Sequence, residues 1–238
     1  RHTRLQGDWS SDVCSSDLYS MRLKEGKPPE TDLGFSYHDA EMRILKTLPP
    51  IKNSSGQFSV ANNRLATQLT TASFVPKNGE TVDLSGSQFI IPDVRIKPAP
   101  AIAEIRATGS VTSALTTLNY PPMTALDRLD FKTDAVSGQT EIKARIEFPV
   151  MRNAPADQIK YSASAVINNA KSDHIVPNQS LFADVVNVQV NNDILQIDTL
   201  AEMRGISFDI AFQMVMGENT GKMPAILNAR MLLSKDRS

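Results

Sequence analysis

Hydrophobic and polar residues alternate strictly along residues 141–148. Ile142, Ile146 and Phe148 fall on one side of an extended chain, and Glu141 and Glu147 fall on the other. Residues 206–216 repeat this pattern over a longer stretch, with an apolar side chain at every second position. Because successive side chains of a β-strand point to opposite faces, each stretch predicts a strand with one apolar and one polar face.

The rest of the chain predicts more strands of the same kind, joined by short turns. We expect them at residues 40–45, 56–61, 65–72, 81–91, 101–108, 160–168, 181–190, 194–202 and 225–233. Turn signals between them include Asn62-Asn63 and Asn191-Asn192, and Asn tolerates the positive φ of a tight hairpin. The predicted fold class is mainly β: a long, twisted or curled antiparallel meander sheet, arranged as an open groove or a sandwich.

One segment has helical rather than strand periodicity. Ser110 or Thr112 can cap a short helix whose apolar residues recur at helical spacing, and Pro121-Pro122 ends it. A second short helical turn is expected around Leu126 and Leu129. Helices of this length are marginal alone, so we expect one or two short helices that cap an end of the sheet.

Residues 57–69 resemble residues 186–197, since each contains a strand, an Asn-rich turn and a second apolar strand. Two copies would indicate a repeated sheet unit. The alternative is that any two hairpins share these features, and the sequence leaves both interpretations open.

Residues 1–18 differ from the rest in composition, because they contain the only Cys and the only Trp and no apolar period. They match the translation of a common short-read sequencing adapter, and we expect them to be an artefact and disordered. We expect an irregular lead-in at 19–34, the main β-domain at 35–216, and a following unit or a truncated final strand at 217–238. On this interpretation the chain is a fragment of a longer protein.

Charge and composition exclude several classes of function. The whole chain has a formal charge of −1, and without residues 1–18 it has none, so the basic excess of a nucleic-acid binder is missing. His38 and His174 each stand without a second His at ligand spacing, which favours solvated surface residues over a metal site. The glycines of residues 217–222 are too close together for a phosphate-binding loop. We therefore expect no enzyme, no metal and no cofactor.

A set of short motifs resembles the uncharacterised central domain of AsmA-like envelope proteins, the YhdP- and TamB-related group of Gram-negative bacteria. The motifs occur in family order across residues 35–216. They are Leu48-Pro49-Pro50, Ser55-Gly56-Gln57-Phe58, Phe89-Ile90-Ile91-Pro92-Asp93, Ala107-Thr108-Gly109, Ser137-Gly138 and Phe148-Pro149-Val150.

This resemblance implies a periplasmic protein, anchored in the inner membrane by a segment outside this chain, that carries phospholipid towards the outer membrane. Its partners would be phospholipid acyl chains, the two membranes and an envelope protein. The residues expected to line an apolar lipid groove are Ile142, Ile146, Phe148, Val186, Val188, Val190, Ile206, Phe208, Ile210 and Phe212. The alternatives are that these residues fill a dry core, or that the protein is a scaffold whose sheet edges bind partner strands.

Overall fold

A computed structural model describes residues 14–22, 30–44, 47–121, 131–152, 154–216 and 224–232. The expected helical turn near Leu126 and the glycine loop at 217–222 lie outside these residues. In the described part of the chain, no helix is long and apolar enough to cross a membrane.

In the described residues, thirteen strands form one antiparallel sheet and follow each other across it in chain order. Two short strands, at residues 82–83 and 88–91, share one place in this order, between the strands at 64–74 and 99–110. The predicted mainly β meander is therefore confirmed. The strands are β1 (Cys14–Arg22), β2 (Glu30–Met42), β3 (Ile51–Ala61), β4 (Arg64–Phe74), β5 (Val82–Asp83), β6 (Gln88–Ile91), β7 (Ala99–Ser110), β8 (Ser137–Val150), β9 (Lys160–Ser172), β10 (Leu181–Asn191), β11 (Ile194–Met203), β12 (Ile206–Val215) and β13 (Ala225–Leu232).

Helix α1 (Val111–Leu118) follows β7 directly, as the sequence predicts. Ser110 is its N-cap, and the Ser110 side-chain oxygen accepts a hydrogen bond from the backbone N–H of Ser113 at 3.1 Å. Val111 and Ser113 are buried, and the helix contacts β7 and β8. A short 3-10 turn, Ala156–Gln158, precedes β9.

Part of the segment expected to be disordered at 1–18, and part of the irregular lead-in expected at 19–34, is described as strand. Residues 14–22 form β1, and β2 already begins at Glu30. β1 pairs antiparallel with β2, with Leu18 opposite Gly34. An open sheet edge offers main-chain donors and acceptors to any extended segment, so an edge strand can form without an apolar period of its own.

The prediction of a single strand at residues 81–91 is wrong, because a turn divides this segment into β5 and β6. Asp83 accepts hydrogen bonds at Oδ1 from the N–H of Ser85 at 2.9 Å and from its hydroxyl at 2.6 Å. Gly86 then takes a positive φ of 84°. Side-chain bonds of this kind compete with strand pairing and start a turn.

The two hairpins of the suspected repeat have different turn geometries. Asn62 and Asn63 both have positive φ, 50° and 62°, as a type I′ turn requires. In the second hairpin, Asn191 Oδ1 accepts from the N–H groups of Asp193 and Ile194 at 2.9 and 3.0 Å. The two hairpins therefore share a sequence pattern but not a turn geometry.

Buried side chains concentrate in the first half of the sheet. Tyr37, Ile51, Leu69 and Ala72 form the core cluster, with Leu84 packed against it. From β8 onward the residues that are buried are Thr140, Ala170, Ser172, Ala201 and Met214. The second half of the sheet is therefore much less covered than the first.

Candidate functional site

Strand register places the apolar positions of β7 to β13 in continuous rows across one face of the sheet. Residues directly opposite each other in neighbouring strands share a face, so each row can be followed from pair to pair. The central row is Ala107, Ile142, Ala165, Val188, Ile197, Phe212 and Leu227. The next is Ile105, Ala144, Ala163, Val190, Leu195, Met214 and Ala225. We call this side of the sheet the apolar face.

All ten predicted groove residues lie on the apolar face. Ile142, Val188 and Phe212 belong to the central row, and Val190 belongs to the next one. The others extend the face towards both ends of the strands. Their opposite residues are Ala103 for Ile146, Ala101 for Phe148, Thr199 for Val186 and Ile210, Ala201 for Phe208, and Met203 for Ile206.

The apolar face continues into the first half of the sheet through aromatic side chains. A row of opposite residues runs through Phe35, Phe58, Thr67, Phe89, Ala103, Ile146 and Tyr161. The rings of Phe35 and Phe58 stack with centroids 4.9 Å apart, and those of Phe89 and Phe148 lie 6.3 Å apart.

None of the ten groove candidates is buried. Nine are half-buried, and Ile206 is 40% exposed. Residues that fill a dry core between two layers lose nearly all their exposed area, so the apolar face of β8 to β12 is not such a core. It is an apolar surface that remains accessible.

The opposite side of the sheet, which we call the polar face, carries hydrophilic rows. The clearest of them runs from Arg106 on β7 to Gln213 on β12. Its members are Arg106, Lys143, Ser164, Gln189, Gln196 and Gln213. A depression of about 480 Å³ lies on this face, between β7 and β11.

One end of the apolar face is closed by the segment that follows α1. Ser172 donates a hydrogen bond from its hydroxyl to the carbonyl oxygen of Ala135 at 2.7 Å, and both residues are buried. Ala170 and Ala201 are buried at the same end. The lining is therefore partly exposed along β8 to β12, except at the buried Met214, and it is covered where these strands meet residues 131–136.

Sequence reasoning missed the contributions of β7 and β9 to the apolar face. Ile105, Ala107, Ala163 and Ala165 lie in the two central rows. The alternation of small residues along 161–167 was the available signal, but alanine adds too little hydropathy to stand out.

His38 and His174 are exposed, as predicted. His174 donates its backbone N–H to the hydroxyl of Ser172 at 3.2 Å. Within the described ranges, no three His, Cys, Asp or Glu side chains are close enough together to hold a metal ion.

No protein-family model, curated protein or solved structure matches this chain.

Proposed function

We propose that this chain is a segment of an AsmA-like periplasmic protein that shields phospholipid acyl chains on their way between the inner and outer membranes. The observation that carries the proposal is the apolar face of β7 to β12, which is continuous and backed by a polar face. Its valine, isoleucine, leucine and phenylalanine side chains stay partly exposed, whereas Ala101, Ala201 and Met214 are buried. The motif resemblance described above supports the same assignment.

The size of the apolar face suits an acyl chain. Neighbouring strands lie about 4.8 Å apart, so the rows from β7 to β12 extend about 24 Å. A bilayer's hydrocarbon core is about 30 Å thick, and each acyl chain occupies about half of it. One row is therefore long enough to cover a chain along its whole length.

The energetics also favour an apolar surface rather than a chemical site. Exposing a sixteen-carbon chain to water costs on the order of 12 kcal/mol, at about 0.8 kcal/mol per CH₂ group. Valine, isoleucine and phenylalanine side chains replace bilayer contacts with similar ones. Transfer along such a surface needs neither a cofactor nor a covalent step.

Lipid bound to the purified protein tests the proposal. We expect phospholipid to co-purify with the wild-type chain and to be lost from Val188→Asp, because the carboxylate would stand in the middle of the central row. Gln189→Asp is the matched control, since it adds the same charge to the next residue of β10 on the polar face. Mass spectrometry of solvent extracts measures the lipid, and circular dichroism checks that each variant folds.

Phe208→Asp and Ile146→Asp should behave like Val188→Asp, since both positions lie on the apolar face. If the aspartate variants fail to fold, Val188→Thr takes their place in the test. This variant keeps the shape of the side chain and should lower the lipid content partially. Wild-type protein without phospholipid, or equal loss from the Val188 and Gln189 variants, would contradict the proposal.

A second candidate function is a scaffold that binds extended segments of an envelope protein at a sheet edge. It is favoured by β13, which pairs only with β12 among the described strands and whose eight residues are all exposed. Ile226 and Leu227 are 61% and 65% exposed, so this edge has apolar side chains on both faces.

Hydrogen exchange separates the two candidates. A captured strand would protect the backbone amides of β13, because β-augmentation works through main-chain hydrogen bonds. Lipid on the apolar face would leave the outer amides of β13 exchanging, and Val188→Asp would prevent the lipid from binding. Protection of β13 by a partner that Val188→Asp still binds would favour the scaffold.

A further inference from the structure

Two basic side chains stand directly opposite each other on the polar face. Arg106 of β7 is the register partner of Lys143 of β8, and both are exposed. Neither side chain forms an ion pair or a side-chain hydrogen bond with another described residue. Like charges directly opposite in a sheet are destabilising unless something neutralises them.

The neighbouring pair of the same two strands shows the usual solution. Glu104 stands opposite Arg145, and the Arg145 Nη1 and Glu104 Oε1 atoms are 2.6 Å apart. Arg145 also donates from Nε to Glu147 at 2.8 Å, and this contact raises the pKa of the guanidinium. Gln88 donates to the other oxygen of Glu104. Glu104 and Glu147 are therefore already engaged. Glu141 lies two residues before Lys143 on the same face but forms no ion pair with Lys143 or Arg106, so these two cations lack a partner among the described carboxylates.

Arg106 and Lys143 border the depression of about 480 Å³ on the polar face. Ser162 and Ser164 of β9 lie beside them, and their short side chains leave the space open. Gln189 and Gln196 border its far side. Guanidinium, ammonium, hydroxyl and amide groups can all donate hydrogen bonds. The five side chains of the row that border the depression are therefore all donors.

The charge of this depression is positive. Its lining includes Arg106, Lys143 and Arg145 but a single carboxylate, that of Glu104. A planar guanidinium next to an ammonium suits a tetrahedral oxyanion, because the first can bind two oxygens and the second acts as a point charge. Hydroxyl and amide donors can bind the remaining oxygens.

We propose that the depression at Arg106, Lys143 and Ser164 binds a phosphate-type oxyanion. The site is independent of the lipid proposal, since it lies on the other face of the sheet from the acyl-binding rows. A lipid held on the apolar face cannot place its own phosphate there. The phosphate belongs either to a free anion or to a headgroup of a membrane surface that the polar face approaches.

Titration of the ¹⁵N-labelled chain with inorganic phosphate tests the site by NMR. We expect shifts at the backbone amides of residues 106, 143 and 164, and at least about tenfold weaker binding by Arg106→Gln/Lys143→Gln, which removes both charge-assisted contacts. Added NaCl should weaken the binding, because exposed charges are screened. Lys171→Gln is the control, since Lys171 lies outside the depression and its Nζ atom is 3.3 Å from Oδ2 of Asp173.

Sedimentation with phosphatidylglycerol vesicles distinguishes the two sources. Vesicle binding that the double variant loses indicates a headgroup, whereas phosphate binding without vesicle binding indicates a free anion. Val188→Asp should keep the phosphate response, which separates this site from the lipid proposal. Absence of shifts at all three positions, or equal binding by the double variant, would overturn the proposal.

Discussion

At the scale of single residues, glycine decides how closely β3 approaches its neighbours. A Cβ atom added at Gly56 would overlap the carbonyl oxygen of Gln68 and would lie 2.8 Å from the hydroxyl oxygen of Tyr37. The backbone of β4 and the ring of Tyr37 therefore occupy the space of a side chain. At Gly34, by contrast, the nearest atom would be 3.9 Å away.

We expect Gly56→Ala to lower the free energy of unfolding by about 3 kcal/mol, because the two strands must separate to admit the methyl group. Gly34→Ala is the control and should change it by less than about 1 kcal/mol. Urea denaturation followed by circular dichroism measures both. Equal stability of the two variants would show that β3 and β4 are not packed as described.

At the scale of elements, α1 is fixed to the sheet by a carboxylate from the loop before β5. Glu80 accepts hydrogen bonds from the hydroxyls of Ser110 and Ser113, the latter at 3.1 Å, and from the Asn78 amide at 3.2 Å. The bonds from Ser110 and Ser113 hold the pKa of Glu80 below its ordinary value of 4.5. The N-cap of the helix and the loop are thereby joined at one group.

The lowered pKa of Glu80 makes this anchor sensitive to acid. A carboxyl whose pKa is lower in the folded state stabilises the fold above its unfolded pKa, and this contribution is lost as the pH falls through the folded pKa. We therefore expect wild type to be more stable than Glu80→Gln at pH 7, with the difference shrinking below pH 4.5. Urea denaturation across this range measures it, and a difference that stays constant with pH would contradict the assignment.

The individual elements also show which parts of the fold local sequence patterns can predict. The strict alternation along β8 and β12 predicted both strands and their apolar faces, since the period of two is a property of the extended chain itself. The helix was predicted from a capping residue, Ser110 or Thr112, and from the helical spacing of the apolar residues that follow. The break between β5 and β6 was not, because it depends on one Asp side chain that bonds to the backbone instead of leaving it to the sheet.

At the scale of the whole molecule, the described residues leave the apolar face of the second half of the sheet largely uncovered, except where residues 131–136 meet it. Sheets gain most of their stability by burying one face, so a half that leaves its apolar face accessible should open more readily than the half that contains the core cluster. β13 is the extreme case, because it has one neighbour among the described strands and eight exposed residues.

We expect the amides of β13 to exchange at least about tenfold faster than those of β4, which lies between paired strands and contributes Leu69 to the core cluster. NMR-detected hydrogen exchange measures both strands in one sample. Phospholipid that covers the apolar face should slow exchange in β8 to β12. Equal protection of β4 and β13 without any ligand would show that the described edge is covered.

Local periodicity and capping predict the strands of the second half, the helix, the meander order and the apolar side of each strand. The pairing register of the strands, the addition of β1 to the sheet edge and the position of Arg106 opposite Lys143 on the polar face appear only in the folded structure. The folded structure also shows that the ten candidates share one face and that none of them is buried. Pairing register and coverage depend on contacts between residues far apart in the chain, and no local pattern encodes them.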